Sequence, residues 1–121
     1  MTAAEIDAYL AGLDEPHRST LAALRDLLAE LLPDAEQGLS YAAPAFRMGG
    51  TPVAGFSAAA RHVSYLPHSG TVLTDLAASD PTALEGVGWS KGAVRLPADR
   101  PPPRALITTL VEARLAELGR T

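Results

Sequence analysis

GLSYAAPAFRMGGTPVAGFSAAARHVSYLP, from Gly38 to Pro67, reads as short strands joined by tight turns. Leu39 and Tyr41 alternate with Ser40 as in a half-buried strand, which turns Leu39 and Tyr41 inward. Ala42-Ala43-Pro44 bends or interrupts the chain, and Phe46 and Met48 then alternate with Arg47. Gly49-Gly50 is a hairpin signal, because glycine supplies the positive φ angles that a two-residue turn requires. Thr51 to Phe56 runs back, with Pro52 at a strand start or on an edge. His62 to Leu66 forms another strand with Val63 and Tyr65 on one face, and Pro67-His68-Ser69-Gly70 ends it. Ser90 to Pro97 (SKGAVRLP) has the same character and is read as one more strand of the same sheet. Its Val94 and Leu96 share a face, and Lys91, Ala93 and Arg95 share the other. Strands joined by short turns cannot be parallel neighbours, which need a long crossover, so the sheet is expected to be mainly antiparallel with about five strands.

Helical patterns flank this sheet. Thr2-Ala3-Ala4-Glu5 is a capping box, in which the Thr2 hydroxyl accepts from the Glu5 amide and Glu5 reaches back. A short helix follows with Ile6, Tyr9, Leu10 and Leu13 on one side. Asp14-Glu15-Pro16 starts a longer one, with Asp14 as its cap and proline tolerated in the first turn. Leu21, Leu24, Leu28 and Leu31 step by three and four along it, the stripe that packs on a sheet, and Pro33 stops it. Thr71 to Ala78 is a short helix, residues 98 to 103 (ADRPPP) are an extended connector, and Arg104 to about Leu118 is the last helix. Its stripe is Ile107, Leu110, Val111, Leu115 and Leu118, and Gly119 sits at its C-cap. The expected architecture is α+β, a single domain over residues 1–121, with N-terminal and C-terminal helices on one face of the sheet.

Composition narrows the function classes. A chain of 121 residues buries roughly two thirds of its unfolded surface and folds without a disulfide or metal. With no cysteine it has no thiolate chemistry, consistent with a cytoplasmic setting. The N-terminus lacks the charged start and apolar run of a signal peptide, and no apolar run approaches a membrane span. The net charge of −4 argues against nucleic acid as a partner.

SYAAPAFR (Ser40 to Arg47), HVSYLP (His62 to Pro67) and SKGAVRLP (Ser90 to Pro97), in that order and spacing, resemble the YdhG-like family, the domain of unknown function 1801. The leading DAYLAGLDEPHRSTLAALRDLL is similar to that family's N-terminal helical region. The resemblance covers about Ile6 to Leu118 and implies a small bacterial protein with an antiparallel sheet flanked by helices. Some members carry the label of a frataxin-like intracellular iron chaperone. The family offers no catalytic motif to transfer.

Three functional readings follow. A non-enzymatic binding protein that handles iron, held weakly, needs converging oxygen ligands. The nearest set is Asp26, Glu30, Asp34 and Glu36; Asp26 and Glu30 are neighbours on one helix face. His62 and His68 would lie ~20 Å apart on a straight strand, which excludes one shared ion unless the chain turns between them, as Pro67 suggests. The second reading is a module that binds a small anion or an acidic peptide. From Gln37 to Thr74 the only formal charges are Arg47 and Arg61, and SKGAVRLP adds Lys91 and Arg95. If Phe46, Met48, Val94 and Leu96 face the helices, Ser40, Arg47, Ser90, Lys91 and Arg95 make a basic, polar patch on the opposite face, where arginine suits carboxylate or phosphate. The third reading is an enzyme with an unmarked site, since there is no GxSxG elbow and no phosphate loop. The open sheet edges admit a second copy, so the chain is expected as a monomer or homodimer.

Overall fold

A computed structural model describes residues 3–120. Thr2, and with it the hydroxyl half of the capping box, lies outside them. The elements run α1 (Ala3–Ala11), α2 (His17–Leu31), β1 (Glu36–Ser40), β2 (Ala43–Met48), β3 (Thr51–Ala58), β4 (His62–Leu66), α3 (Val72–Ser79), β5 (Gly88–Ser90), β6 (Ala93–Pro97) and α4 (Arg104–Glu117). The six strands form one open sheet in the order β1-β2-β3-β4-β6-β5, antiparallel at every pairing. The helices pack on it, giving the α+β architecture expected from the sequence.

The alternation read in the sequence sets the core. Register pairs Phe56 with Tyr65, Tyr65 with Val94 and Val63 with Leu96, so these side chains share one face. They are buried with Phe46 and Ala54 of the sheet and with Ile6, Leu21, Leu24, Leu28, Ile107 and Leu110 of the helices. Burying one such leucine or phenylalanine contributes about 1.5–3 kcal/mol. Polar ties fix the helices: the Tyr9 hydroxyl accepts from the Ala58 amide, Thr20 donates to the Ala98 carbonyl, and Arg25 bonds Gln37 and the Asp7 carboxylate.

Several local expectations need correction. Asp14 does not cap α2 with its side chain; Glu15 does comparable work, its carboxylate accepting from the Ser19 amide at 3.1 Å and the Ser19 hydroxyl at 2.6 Å. Pro44 does not interrupt the chain but lies inside β2, where the ladder to β3 begins one residue later at Ala45 and no proline N–H is required. SKGAVRLP is not one strand. Ser90 pairs with Ala93, so Lys91-Gly92 is a two-residue turn and Gly88–Ser90 becomes a sixth strand at the sheet edge.

The β1–β2 turn departs furthest. Ser40 pairs with Ala43 across a two-residue loop in which Tyr41 and Ala42 have φ of 51° and 65°. Gly49-Gly50 adopts the same positive angles at the β2–β3 turn without a Cβ penalty. At Tyr41 and Ala42 the left-handed conformation costs roughly 1–2 kcal/mol per residue. Tyr41 does not face inward: it is 99% exposed, whereas Ser40 is buried.

Candidate functional site

The loop that follows β4 gathers the chain's chemistry. Pro67 is buried and His68 adopts a positive φ of 55°, a conformation a non-glycine residue holds only when its surroundings dictate it. Its imidazole is pressed against Gly55 of β3, where a side-chain carbon would come within 2.7 Å of Nε2. That nitrogen is buried without a hydrogen-bond partner. Burial, and then the guanidinium groups of Arg114 and Arg47, push the His68 imidazole below its ordinary value, so it is neutral at neutral pH.

The next three residues face α4. The Ser69 and Thr71 hydroxyls donate to the Glu117 carboxylate at 2.9 and 2.6 Å, and Arg114 donates to the same carboxylate at 3.2 Å. Arg114 also donates from Nε and Nη2 to the Pro52 carbonyl at 3.3 and 3.0 Å, which ties α4 to the start of β3. Arg47 and Arg120 come to the adjoining β2–β3 turn. Arg47 Nη1 donates to the Gly50 carbonyl at 3.3 Å while its Nε is buried without a partner. Arg120 Nη2 lies where a side chain on Gly49 would begin, 2.8 Å from that position. On the far side of the loop, the Lys91 side chain reaches Gly70, its Cε 3.8 Å from the corresponding position there. One end of the sheet therefore carries Arg47, Lys91, Arg114, Arg120 and a neutral His68, with Glu117 built into it and Glu36 of β1 directly opposite Arg47.

Thr71 is the largest contributor in holding the Glu117 carboxyl below the usual range, with Ser69 and Arg114 adding to it against a burial effect that raises it. A carboxylate depressed in the folded state stabilises fully above its unfolded value and loses that contribution as pH falls through its folded value. The melting temperature of Glu117→Gln should accordingly lie below that of the parent at neutral pH, and the gap should close below about pH 4. Thermal melts across acid pH check this; a gap that persists unchanged would show that the carboxylate charge is not its source.

The residues singled out from the sequence are only partly brought together. Arg47 and Lys91 flank the loop, and Ser90 is exposed beside Lys91 on β5. Arg95 stands apart, exposed on β6 opposite Ser64 and Gly88. It is separated from Arg47 by β3 and β4, ~14 Å across the sheet at the usual spacing. Ser40 is buried near the β1–β2 turn, away from the loop. Among the acidic set, Glu30 is held by both terminal nitrogens of Arg104 at 3.1 and 2.7 Å, which lowers its carboxyl. Asp26, Asp34 and Glu36 are exposed on α2, the following turn and β1. Among the described residues no three His, Asp or Glu side chains gather into a group able to hold a metal ion, and no helix is long and apolar enough to cross a membrane. His17, with a buried and unpartnered Nε2, lines a separate open groove of about 490 Å³ with Asp14 and Glu15.

His68, Arg114, Glu117 and Arg120 were not legible as members of this site, because α4 is brought to the loop by tertiary packing alone. No family model matches the sequence, and no curated protein matches it. The structure is similar to a crystal structure of a protein of the DUF1801 family, YdhG from Bacillus subtilis. The TM-score is 0.83 at 20% identity, over 96% of this chain and 92% of that one. The chain therefore has the fold of a DUF1801 protein, the family its three sequence motifs resemble.

Proposed function

We propose that this chain is a binding protein of the YdhG-like family whose ligand is an anion, either a small phosphate or carboxylate compound or the acidic side chains of a partner. The observation that carries this reading is the concentration of Arg47, Lys91, Arg114 and Arg120 around the 67–71 loop and the β2–β3 turn. Glu117 and Glu36, the latter directly opposite Arg47 across the β1–β2 pair, are carboxylates among them, and the four cations still outnumber these two in a chain whose net charge is −4. The terminal nitrogens of Arg47, of which Nη1 makes one long bond of 3.3 Å to the Gly50 carbonyl, are the donors that such a ligand would engage, since a guanidinium presents several N–H groups in one plane to an oxyanion. Iron handling, the other expectation, has weaker support: Glu30 is engaged by Arg104, and Asp26, Asp34 and Glu36 belong to three different segments.

Titration of inorganic phosphate and of succinate into isotope-labelled protein tests the anion reading. The amides of Gly49, Gly50 and Ser69 to Thr71 should shift, and Arg47→Gln should weaken binding roughly tenfold, the loss of one charge-assisted hydrogen bond. No shift at those amides by about 10 mM of either anion, well beyond a weak site's dissociation constant, would rule the reading out.

A further inference from the structure

Among the described residues β1, on which α1 packs, is a sheet edge whose outer backbone groups have no backbone partner. In a hairpin with a two-residue loop the flanking pair, here Ser40 and Ala43, is hydrogen-bonded, and bonded pairs alternate along the ladder. Ser40, Gly38 and Glu36 therefore bond to β2, and the N–H and C=O groups of Gln37 and Leu39 point away from the sheet. No helix or turn backbone among the described residues bonds to either one. The other edge, β5, has three residues and runs straight into Lys91, the short and charged ending that discourages pairing. β1 has five residues, no proline and no lysine. At its end stands Tyr41, the exposed large hydrophobic side chain of the described residues, in a turn held at a conformational cost. Strain kept at an exposed aromatic points to a contact made there.

We propose that β1 is an association edge on which two copies of this chain pair, antiparallel, about a two-fold axis at Gly38. The register is self-complementary. Pairing Gln37 with the second copy's Leu39 uses every outward backbone group of both residues. It places Gly38 against Gly38, where the absence of side chains lets the backbones approach as closely as a non-bonded pair requires. Glu36, the charge of the strand, falls opposite Ser40 rather than against its own copy, so no like charges meet. Tyr41 falls opposite the half-buried Ala35 and closes over the end of the second copy's strand. The same surface patch serves both copies, as a closed dimer demands. Two tyrosine rings and two strand edges bury less than about 1,200 Å², so the dimer is a weak one, with a dissociation constant on the order of 100 μM.

Sedimentation velocity from about 1 μM to about 1 mM measures the association, since that span brackets the expected constant. Hydrogen exchange over the same series reads the edge directly. The Gln37 and Leu39 amides should exchange more slowly as concentration rises, while Gly38, already bonded to β2, should not change. Two variants separate this edge from any other contact. Leu39→Pro removes an outward N–H and leaves the β1–β2 ladder whole. The double change Tyr41→Asn with Ala42→Gly removes the aromatic ring and supplies residues that favour the turn. Both should remain monomeric at the highest concentration, and the second should melt higher than the parent. The proposal is overturned by a parent chain that stays monomeric at about 1 mM, or by variants that associate as tightly as the parent.

Discussion

Gly55→Ala should cost about 3 kcal/mol of folding stability or more, a large effect for adding one methyl group. The added carbon would lie 2.6 Å from the Pro44 carbonyl oxygen and 2.7 Å from His68 Nε2. Backbone of β2 blocks it on one side and the imidazole of the 67–71 loop on the other. A flexible side chain could swing away; the Pro44 carbonyl is backbone of β2 paired to β1 and joined directly to Ala45, where the ladder to β3 begins, and it cannot move without disturbing those pairings. The double variant Gly55→Ala/His68→Ala separates the two collisions. Removing the imidazole should return part of the loss and leave the part due to Pro44, a coupling that a double-mutant cycle in urea measures directly. A cost under about 1 kcal/mol for Gly55→Ala would mean that the strands relax easily and that the close approach does not hold the loop in place.

The same glycine shows what a sequence conceals. Thr51 to Phe56 is legible as a strand from its pattern and from the turn before it, and nothing in VAGFSA distinguishes Gly55 from an ordinary small strand residue. Its role appears only when His68 folds back over it. The antiparallel sheet, the helical cover and the core side chains follow from two periodicities, which are local properties. Tyr41 was misplaced for the complementary reason. Alternation from Leu39 assigns it to the core, but a two-residue loop ends the alternation at Ser40, and a Tyr-Ala loop lacks the glycine or asparagine that announces such a turn. In SKGAVRLP the Lys91-Gly92 turn carries one glycine, and the three-residue β5 is too short to show a period of its own. Of the candidate site, Arg47 and Lys91 are visible because the stretch around them lacks acid. Arg114 and Glu117 are not, since they read as ordinary polar positions on an amphipathic helix more than 40 residues from the loop they secure.

Two buried hydroxyls in the core should respond to removal with opposite signs. Thr20 is 6% exposed, and its hydroxyl donates to the Ala98 carbonyl at 2.6 Å, joining α2 to the connector that leads into α4. Thr20→Val keeps the shape and strands that carbonyl in the interior. The cost is the desolvation of an unpaired acceptor added to the lost bond, together about 2 kcal/mol. Tyr65 is fully buried between β3 and β6, and its hydroxyl has no partner. Burial alone drives its phenol pKa up, the mark of a polar group with no donor or charge beside it. Tyr65→Phe deletes the unsatisfied oxygen and leaves the ring, which should raise stability by about 1 kcal/mol. Urea unfolding of both variants, with unchanged dependence on denaturant, reads the two effects on one scale. A loss of stability in Tyr65→Phe would reveal a partner for that hydroxyl. Stability unchanged in Thr20→Val would mean that water reaches Ala98, and that the tie between α2 and the connector is made by apolar packing instead.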